Sequence, residues 1–261
     1  MSPATEYAIE MDGLTRRFGN FVAVNDVTLK IPKGQLYGFL GLNGAGKTTT
    51  IRMLTTLLPP SAGTAKLWGH DVIKEPLAVR KLVGLVSDET SESQSTWTAR
   101  EYLSYFARIR HLPNPADEVE RILDDVGLQP SFRGKLICTY STGMKRRVEI
   151  ARALMGRPKV LFLDEPTRGL DLPAKRDMWS LLRRLAATES VTTFLSSHDA
   201  QEIRSLCSKI SVIAKGRLIH TGPTRELGND IDSFEERLVQ MLTHSDHPEP
   251  AGLHFRPPAA P

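Results

Sequence analysis

"GLNGAGKTT", residues 41–49, decides how the rest of the chain is read. Two glycines frame four residues and are followed at once by lysine and threonine, the G-x-x-x-x-G-K-[ST] pattern. Before it stands "QLYGFL" (35–40), apolar without alternation, which suits a strand buried on both faces. After it comes "TTTIRMLTTLL", with Ile51, Leu54 and Leu58 at helical spacing and Pro59–Pro60 as a stop. Strand, glycine loop and helix start form the context that a phosphate-binding loop requires. Gly41, Gly44 and Gly46 let the backbone curl so that successive N–H groups face a phosphate chain, with Asn43 and Ala45 in the same cradle. Lys47 is expected to reach the β- and γ-phosphates, the Thr48 hydroxyl to ligate Mg²⁺, and Thr49 to help hold the α-phosphate. The bland alternative, a glycine-rich turn before an ordinary helix, is disfavoured by that context.

"VLFLDEP" (160–166) supplies the complementary half. Its apolar run ends in Asp164 and Glu165, at the carboxyl end of a strand, where open α/β sheets bind ligands. Asp164 fits the Mg²⁺-holding aspartate of P-loop NTPases, and Glu165 lies where a carboxylate orients and deprotonates water. An acidic pair at a strand end, taken alone, is most often a solvated turn; the glycine loop tips the balance. His198 follows "TFLSS", again at a strand end, and is expected near the γ-phosphate.

The 261 residues are 40% hydrophobic and 25% charged, ordinary values for a soluble α/β protein with a sizeable core. Net charge is +4, from 34 basic and 30 acidic residues. That is too mild for a nucleic-acid binder, and Arg16–Arg17 and Arg183–Arg184 read as solvated faces. Cys138 and Cys207 are isolated and read as small core residues in a reducing compartment. No apolar stretch is long enough to span a membrane and the start lacks a signal-peptide core, so a cytosolic location is expected.

Strand-like alternation covers 7–40, including "VTLKI" at 27–31, and short strand candidates lie at "TAKLWG" and "LVGLV". Residues 87–97 are loop-like, and a helical pattern runs from 98 to about 135. "AKRDMWSLLRRLAA" reads as an amphipathic helix, and "KISVIAKGRLIHTG" as a hairpin turning at Lys215–Gly216. Beyond 229 one short helix, "SFEERLVQML", leads into a Pro- and Ala-rich tail expected to be disordered. "TYSTGMKRRVEIARAL" (139–154) poses a question: a serine and a glycine open a helix bearing Lys145, Arg146 and Arg147, with no acid nearby. A helix start of that kind favours an anion.

Together these pieces resemble the ATP-binding cassette (ABC) family over roughly residues 7–225. The resemblance implies an α/β P-loop NTPase core with an N-terminal antiparallel β subdomain and an inserted α-helical subdomain at about 88–155. The cassette would occupy 1–228, and 229–261 a short helix and tail. It identifies Gly41–Thr49 as Walker A, Val160–Asp164 as Walker B, Glu165 as catalytic base, Gly169–Leu170–Asp171 as D-loop and His198 as the switch histidine. Phe18 stands where the family places an aromatic on adenine; a core phenylalanine is the even alternative. "YSTGMKRR" resembles the signature motif, through which Ser141 and Gly143 would meet the γ-phosphate of ATP held by a second copy, head to tail. The anion would then be intermolecular.

Two departures from the family pattern matter. Thr142 and Met144 replace a usual glycine and glutamine, as in exporter ATPases that serve separate ABC-2-type membrane subunits. Where a glutamine normally touches Mg²⁺, Asp88 stands instead, with Gln94 further on; either one fills the role or the contact is lost. The resemblance thus implies an ATP- and Mg²⁺-dependent exporter ATPase, peripheral on the inner membrane face, pairing with itself and with a separate permease docked near 98–112. A soluble ABC ATPase, for instance in iron–sulfur assembly, and an ATP sensor with little turnover are the rivals.

Overall fold

The computed structural model describes residues 6–87, 96–188 and 191–244. Two long strands open the chain, β1 (Tyr7–Phe18) and β2 (Phe21–Pro32), paired antiparallel about the Gly19–Asn20 turn. With β4 (Ala62–Leu67) and β5 (His70–Asp71) they form a four-stranded antiparallel sheet in the order β2-β1-β4-β5. The second sheet has six strands in the order β10-β9-β3-β8-β7-β6. Its parallel body comprises β3 (Leu36–Leu40), β6 (Val83–Val86), β7 (Val160–Asp164), β8 (Thr192–Ser197) and β9 (Lys209–Ala214). β10 (Arg217–Pro223) closes one edge antiparallel to β9, turning at Lys215–Gly216, both at positive φ.

The unalternating apolar runs are explained by what covers each face of this sheet. Phe39, Phe162 and Phe194 stand on one side, with ring centroids 5.0 and 5.5 Å apart, and pack with Ile9, Met11 and Leu14 of β1 and with helix α1 (Lys47–Leu54). On the other side lie Leu161, Leu163 and Leu195, under α6 (Thr142–Leu154), α7 (Leu172–Thr188) and α8 (Ala200–Leu206). Contact is close: a Cβ on Gly84 of β6 would stand 2.2 Å from the Ala153 carbonyl oxygen of α6. α2 (Pro76–Leu82) leads into β6, and α9 (Ile231–His244) is anchored on the core by buried Phe234 and Leu238.

The helical pattern expected from 98 to 135 is divided into α3 (Ala99–Ile109), α4 (Pro115–Asp125) and the short α5 (Pro130–Arg133). The breaks have local causes. His111 and Asn114 adopt left-handed backbone, Pro115 opens the next helix, and Gly127 at φ 68 ends it. A capping box between Thr98 and Glu101 starts α3. α3, α4 and α5 are then joined by charge, with Arg100 Nε 2.5 Å and Arg133 Nη1 2.9 Å from Glu120.

Cys207 is buried as expected, but Cys138 is exposed, because the 3₁₀ turn Ile137–Thr139 spends its inward position on Ile137. The arginine doublets are more than solvated faces. Arg16 donates to the Pro59 carbonyl, Arg183 to that of Ser205 and Arg184 to that of Asp125, each tying two separate segments. The expected tail, the acidic loop, Asp88 and Gln94 lie outside the described residues.

Candidate functional site

The loops after β3, β8 and β7, three neighbouring strands, meet at the carboxyl ends of the parallel sheet. Gly41 N–H donates to the Ser197 carbonyl at 3.2 Å, tying the glycine loop to the end of β8. A Cβ on Gly41 would stand 2.5 Å from the Ile213 carbonyl oxygen. Gly46, at φ 108, would meet the Ala23 oxygen at 2.5 Å, so the loop can run this close to its neighbours only as glycine. α1 starts at Lys47 with Gly46 at its N-cap, no side-chain cap and no acid in the first turn. Its N-terminal amides therefore remain available to an anion.

Lys47 is 6% exposed, and its ammonium donates to the Gly41 and Leu42 carbonyls at 2.7 and 3.2 Å. It also lies 3.1 Å from Glu165 Oε1, a charge contact without hydrogen-bond alignment, so that Oε1 is buried with no hydrogen-bond partner among the described residues. Thr48 Oγ1 donates to Asp164 Oδ2 at 2.7 Å, and Ser196 Oγ donates to Oδ1 at 2.5 Å. Glu165 sits at φ 52, a left-handed conformation rare for a glutamate, which turns its side chain back toward Lys47. Its Oε2 is 2.6 Å from His198 Nδ1. A carboxylate only accepts, so this nitrogen carries the proton and Nε2 is left as the other face of the ring.

A cavity of about 500 Å³ opens on this group, lined by Gly44, Gly46, Lys47, Thr48, Thr49 and Glu165 together with Phe21, Ala23, Asn43 and Arg168. A second, of about 300 Å³, lies beyond Thr48, Asp164 and Glu165 and is bordered by Ser87, Arg52 and Arg168. Ser87, the last described residue before position 88, is part of that border.

Thr48 and Asp164 present hard oxygen donors at one point, the donor class Mg²⁺ takes when phosphates and waters supply its remaining ligands. The residues fit the ion.

Phe18 is not a core residue: it is 46% exposed at the β1–β2 turn with the Arg16 guanidinium 4.6 Å over its ring. Phe21, its cross-strand partner and 64% exposed, is the aromatic that lines the phosphate cavity. The sequence reading missed it, although the pair flanking Gly19–Asn20 was the signal.

Ser141 caps α6, its Oγ accepting from Met144 N–H at 3.2 Å, which leaves the hydroxyl hydrogen to donate elsewhere. Ser141 is exposed and Gly143 half-buried, and neither lines the phosphate cavity. Two of the three cations that follow serve the fold, with Arg146 paired to buried Glu149 at 2.8 Å and Arg147 bound to the Val126 carbonyl. Asp171 caps α7, accepting from Ala174 N–H at 2.9 Å.

Behind these loops sits Glu202, 1% exposed, which sequence reading did not single out. Burial pushes its carboxyl upward, against hydrogen bonds from Ser197, Thr167 and Trp179 that pull it down. Burial would also push up the neighbouring Asp199, but Lys175 at 2.7 Å and the Glu202 amide hold it below the ordinary carboxylate range.

Residues 24–168, more than half of the chain, match the family model described as ABC transporter. The daunorubicin/doxorubicin resistance ATP-binding protein DrrA of Streptomyces peucetius is 39% identical over 233 residues, 88% of this chain and 70% of that one. The bacitracin transport ATP-binding protein BcrA of Bacillus licheniformis is 39% identical over 217 residues, 82% and 69%. Among solved structures, cbiO1 of Clostridium perfringens, part of the ABC transporter complex cbiONQ, superposes with a TM-score of 0.80 at 25% identity, covering 92% of this chain and 96% of that one. With the glycine loop, the Asp164–Glu165 strand end and His198 gathered at the carboxyl ends of three neighbouring strands, the chain belongs to the ABC transporter family, as an ATP-binding cassette akin to those of exporters.

Proposed function

We propose that this cassette hydrolyses Mg²⁺-ATP between two head-to-tail copies and thereby drives an exporter whose membrane pathway is a separate subunit. The convergence of Lys47, Thr48, Asp164, Glu165 and His198 through direct contacts, with Thr48 and Glu165 lining both cavities, carries the reading. Loop amides from Asn43 to Thr49 would take the phosphates, Thr48 and Asp164 the metal, and Lys47 the β- and γ-oxygens. Mg²⁺ supplies charge neutralisation on those oxygens when bound. Glu165 would accept the proton of the attacking water through Oε1, the oxygen that has no hydrogen bond. His198 Nδ1–H would keep Glu165 in place, and its Nε2 would meet the γ-phosphate. In this reading Phe21, with Phe18 beside it, bounds the nucleobase side of the cavity.

Ser141, Gly143 and Asp171 would act across the pair, where the second copy's nucleotide is the anion the α6 start receives. No helix among the described residues is long and apolar enough to cross a membrane. A permease would dock on the exposed aromatics Trp97 and Tyr105 around the start of α3, from the inner membrane face. The names of DrrA and BcrA, for daunorubicin/doxorubicin resistance and bacitracin transport, support a part in moving a drug-like molecule. Residues 1–228 would form the cassette proper, with 229–261 an appendage. Steady-state phosphate release by the purified chain tests the reading: turnover that needs Mg²⁺ and rises more than linearly with protein concentration is expected. ATP binding with no release would make the chain a sensor.

A further inference from the structure

The catalytic residues proposed above sit on three segments: the turn after β7, helix α7 with its cap, and the turn after β8. The β7–β8 ladder and the Glu165 N–H bond to the Ser196 carbonyl at 3.1 Å fix the backbone between the first and the last but not the side chains that follow. One buried carboxylate touches all three. Glu202 Oε1 accepts from Thr167 Oγ1 at 2.8 Å and from Trp179 Nε1 at 3.3 Å, while Oε2 accepts from Ser197 Oγ at 2.6 Å. Thr167 lies two residues past Glu165, Ser197 one before His198, and Trp179 on the helix capped by Asp171. Thr167, Ser197, Trp179 and Glu202 are 2%, 1%, 6% and 1% exposed, so these bonds do not compete with water. Lys175 of α7 reaches Asp199 in the same shell, and the Asp199 amide donates back to Ser197 Oγ at 3.0 Å.

We infer that Glu202 is a positioning residue for hydrolysis, one that holds the Glu165 and His198 turns at the spacing their 2.6 Å contact needs. It touches neither cavity of the site. The nucleotide-holding groups, the glycine loop and Lys47, hang from β3 and α1 and have no hydrogen bond to Glu202 among the described residues. The loop meets Ser197 only at its backbone carbonyl, which accepts from Gly41 N–H, and not at the hydroxyl that Glu202 holds. Loosening it should therefore misplace the base and leave binding alone. Displacements of this kind cost up to ~10²-fold in rate when they reach ~1 Å.

The inference rests on the proposed roles of Glu165 and His198, and a cycle of variants separates the two. Glu202→Gln keeps the shape and the Thr167 and Trp179 bonds but turns a donor toward Ser197. It is expected to lower kcat on the order of 10-fold, with KM for ATP and the thermal midpoint within error of the parent. Built on His198→Ala, the same change should cost less than about twofold, because the geometry it protects is already gone. Thr167→Val, which removes one donor from the other side, should reproduce both results and stands in if Glu202→Gln does not fold. Equal losses in both backgrounds, or an unchanged kcat in a folded variant, would overturn the positioning role. If instead Glu165→Gln leaves turnover intact, the assignment of the base fails first and this one with it.

Discussion

Replacing Glu165 by glutamine tests the site most sharply, because the structure predicts opposite effects on binding and on turnover. Glu165 and Lys47 are 3.1 Å apart with side chains 12% and 6% exposed. At an effective dielectric of ~20 that separation corresponds to a gross attraction of ~5 kcal/mol, most of it offset by desolvation. A triphosphate arriving at the glycine loop must compete for this ammonium and tolerate the carboxylate beside it. Glutamine keeps the volume, removes the competitor and the like charge, and so should leave ATP affinity equal or raise it several-fold. Turnover should fall by 10²–10⁴, about 2.7–5.5 kcal/mol of barrier, because the amide cannot take a proton from water. Calorimetric titration with Mg²⁺-ATP and steady-state phosphate release read the two quantities on one preparation, and size-exclusion chromatography should show a dimer that appears only with ATP. Unchanged turnover would remove Glu165 from the chemistry, and weakened binding would show that the Lys47 pair supports the loop instead of competing with phosphate.

Lys47→Ala strips the cation from the cradle and leaves Glu165 buried without it; ATP affinity should drop at least about tenfold, ~1.4 kcal/mol, by the same titration, and normal affinity would count against the phosphate cradle. Ser141→Ala loses a helix cap, ~1 kcal/mol seen in urea unfolding, but should bind ATP normally as a monomer and fail to pair; normal hydrolysis with normal pairing would reject the contact across the dimer. Glu120 is held down at about 2, from 4.5, by the Arg100 hydrogen bond and, beyond it, by Arg133. A depressed carboxyl stabilises above its unfolded value and loses that contribution as pH falls toward the folded one. Stability against urea should therefore decline from pH 4.5 to about 2, and less so in Glu120→Gln, by a margin that the 42% exposure of this side chain keeps near or below about 1 kcal/mol. An identical pH slope in both proteins would show that the pair contributes nothing.

The parts of the fold that sequence made legible are those in which cause and effect are neighbours. The glycine loop, its strand and its helix lie within about twenty residues, and each glycine answers a steric demand of that loop. The β9–β10 hairpin was equally readable, since Lys215 and Gly216 carry the left-handed backbone of their own turn. The helical region was not, because three apolar stripes in succession look like one until His111 and Asn114 reverse the chain. Harder still were roles assigned by distant partners. Arg146 and Arg147 read as anion-binding charge beside Ser141, yet Glu149 and the Val126 carbonyl claim them. Glu202 looked like one more helix glutamate; its donor on Thr167 is 35 residues away in the chain. Phe18 and Phe21 oppose each other across one turn, and which of them borders the cavity depends on how that turn lies against the glycine loop, a tertiary contact.

That reassignment of charge strengthens the case for pairing. If Arg146 and Arg147 had pointed past Ser141, α6 would have been no more than a basic patch with any anionic partner. With both turned into the fold, what remains at the helix start is a hydroxyl hydrogen, the first-turn amides, the dipole and a single lysine, Lys145, a small set of donors. Such a set selects a compact anion presented at close range and gains little from a diffuse acidic surface. The chain's own phosphate cavity is bordered by β2, the glycine loop and the turn after β7, with α6 elsewhere. In the proposed pair, a second copy turned by two-fold symmetry would bring that helix start to a terminal phosphate and, by the same operation, offer its own phosphate in return. Each nucleotide would then be held from two sides and the contact would disappear when its γ-phosphate leaves, so the binding energy of the pair would be spent once per turnover, at the step that an exporter must couple to movement.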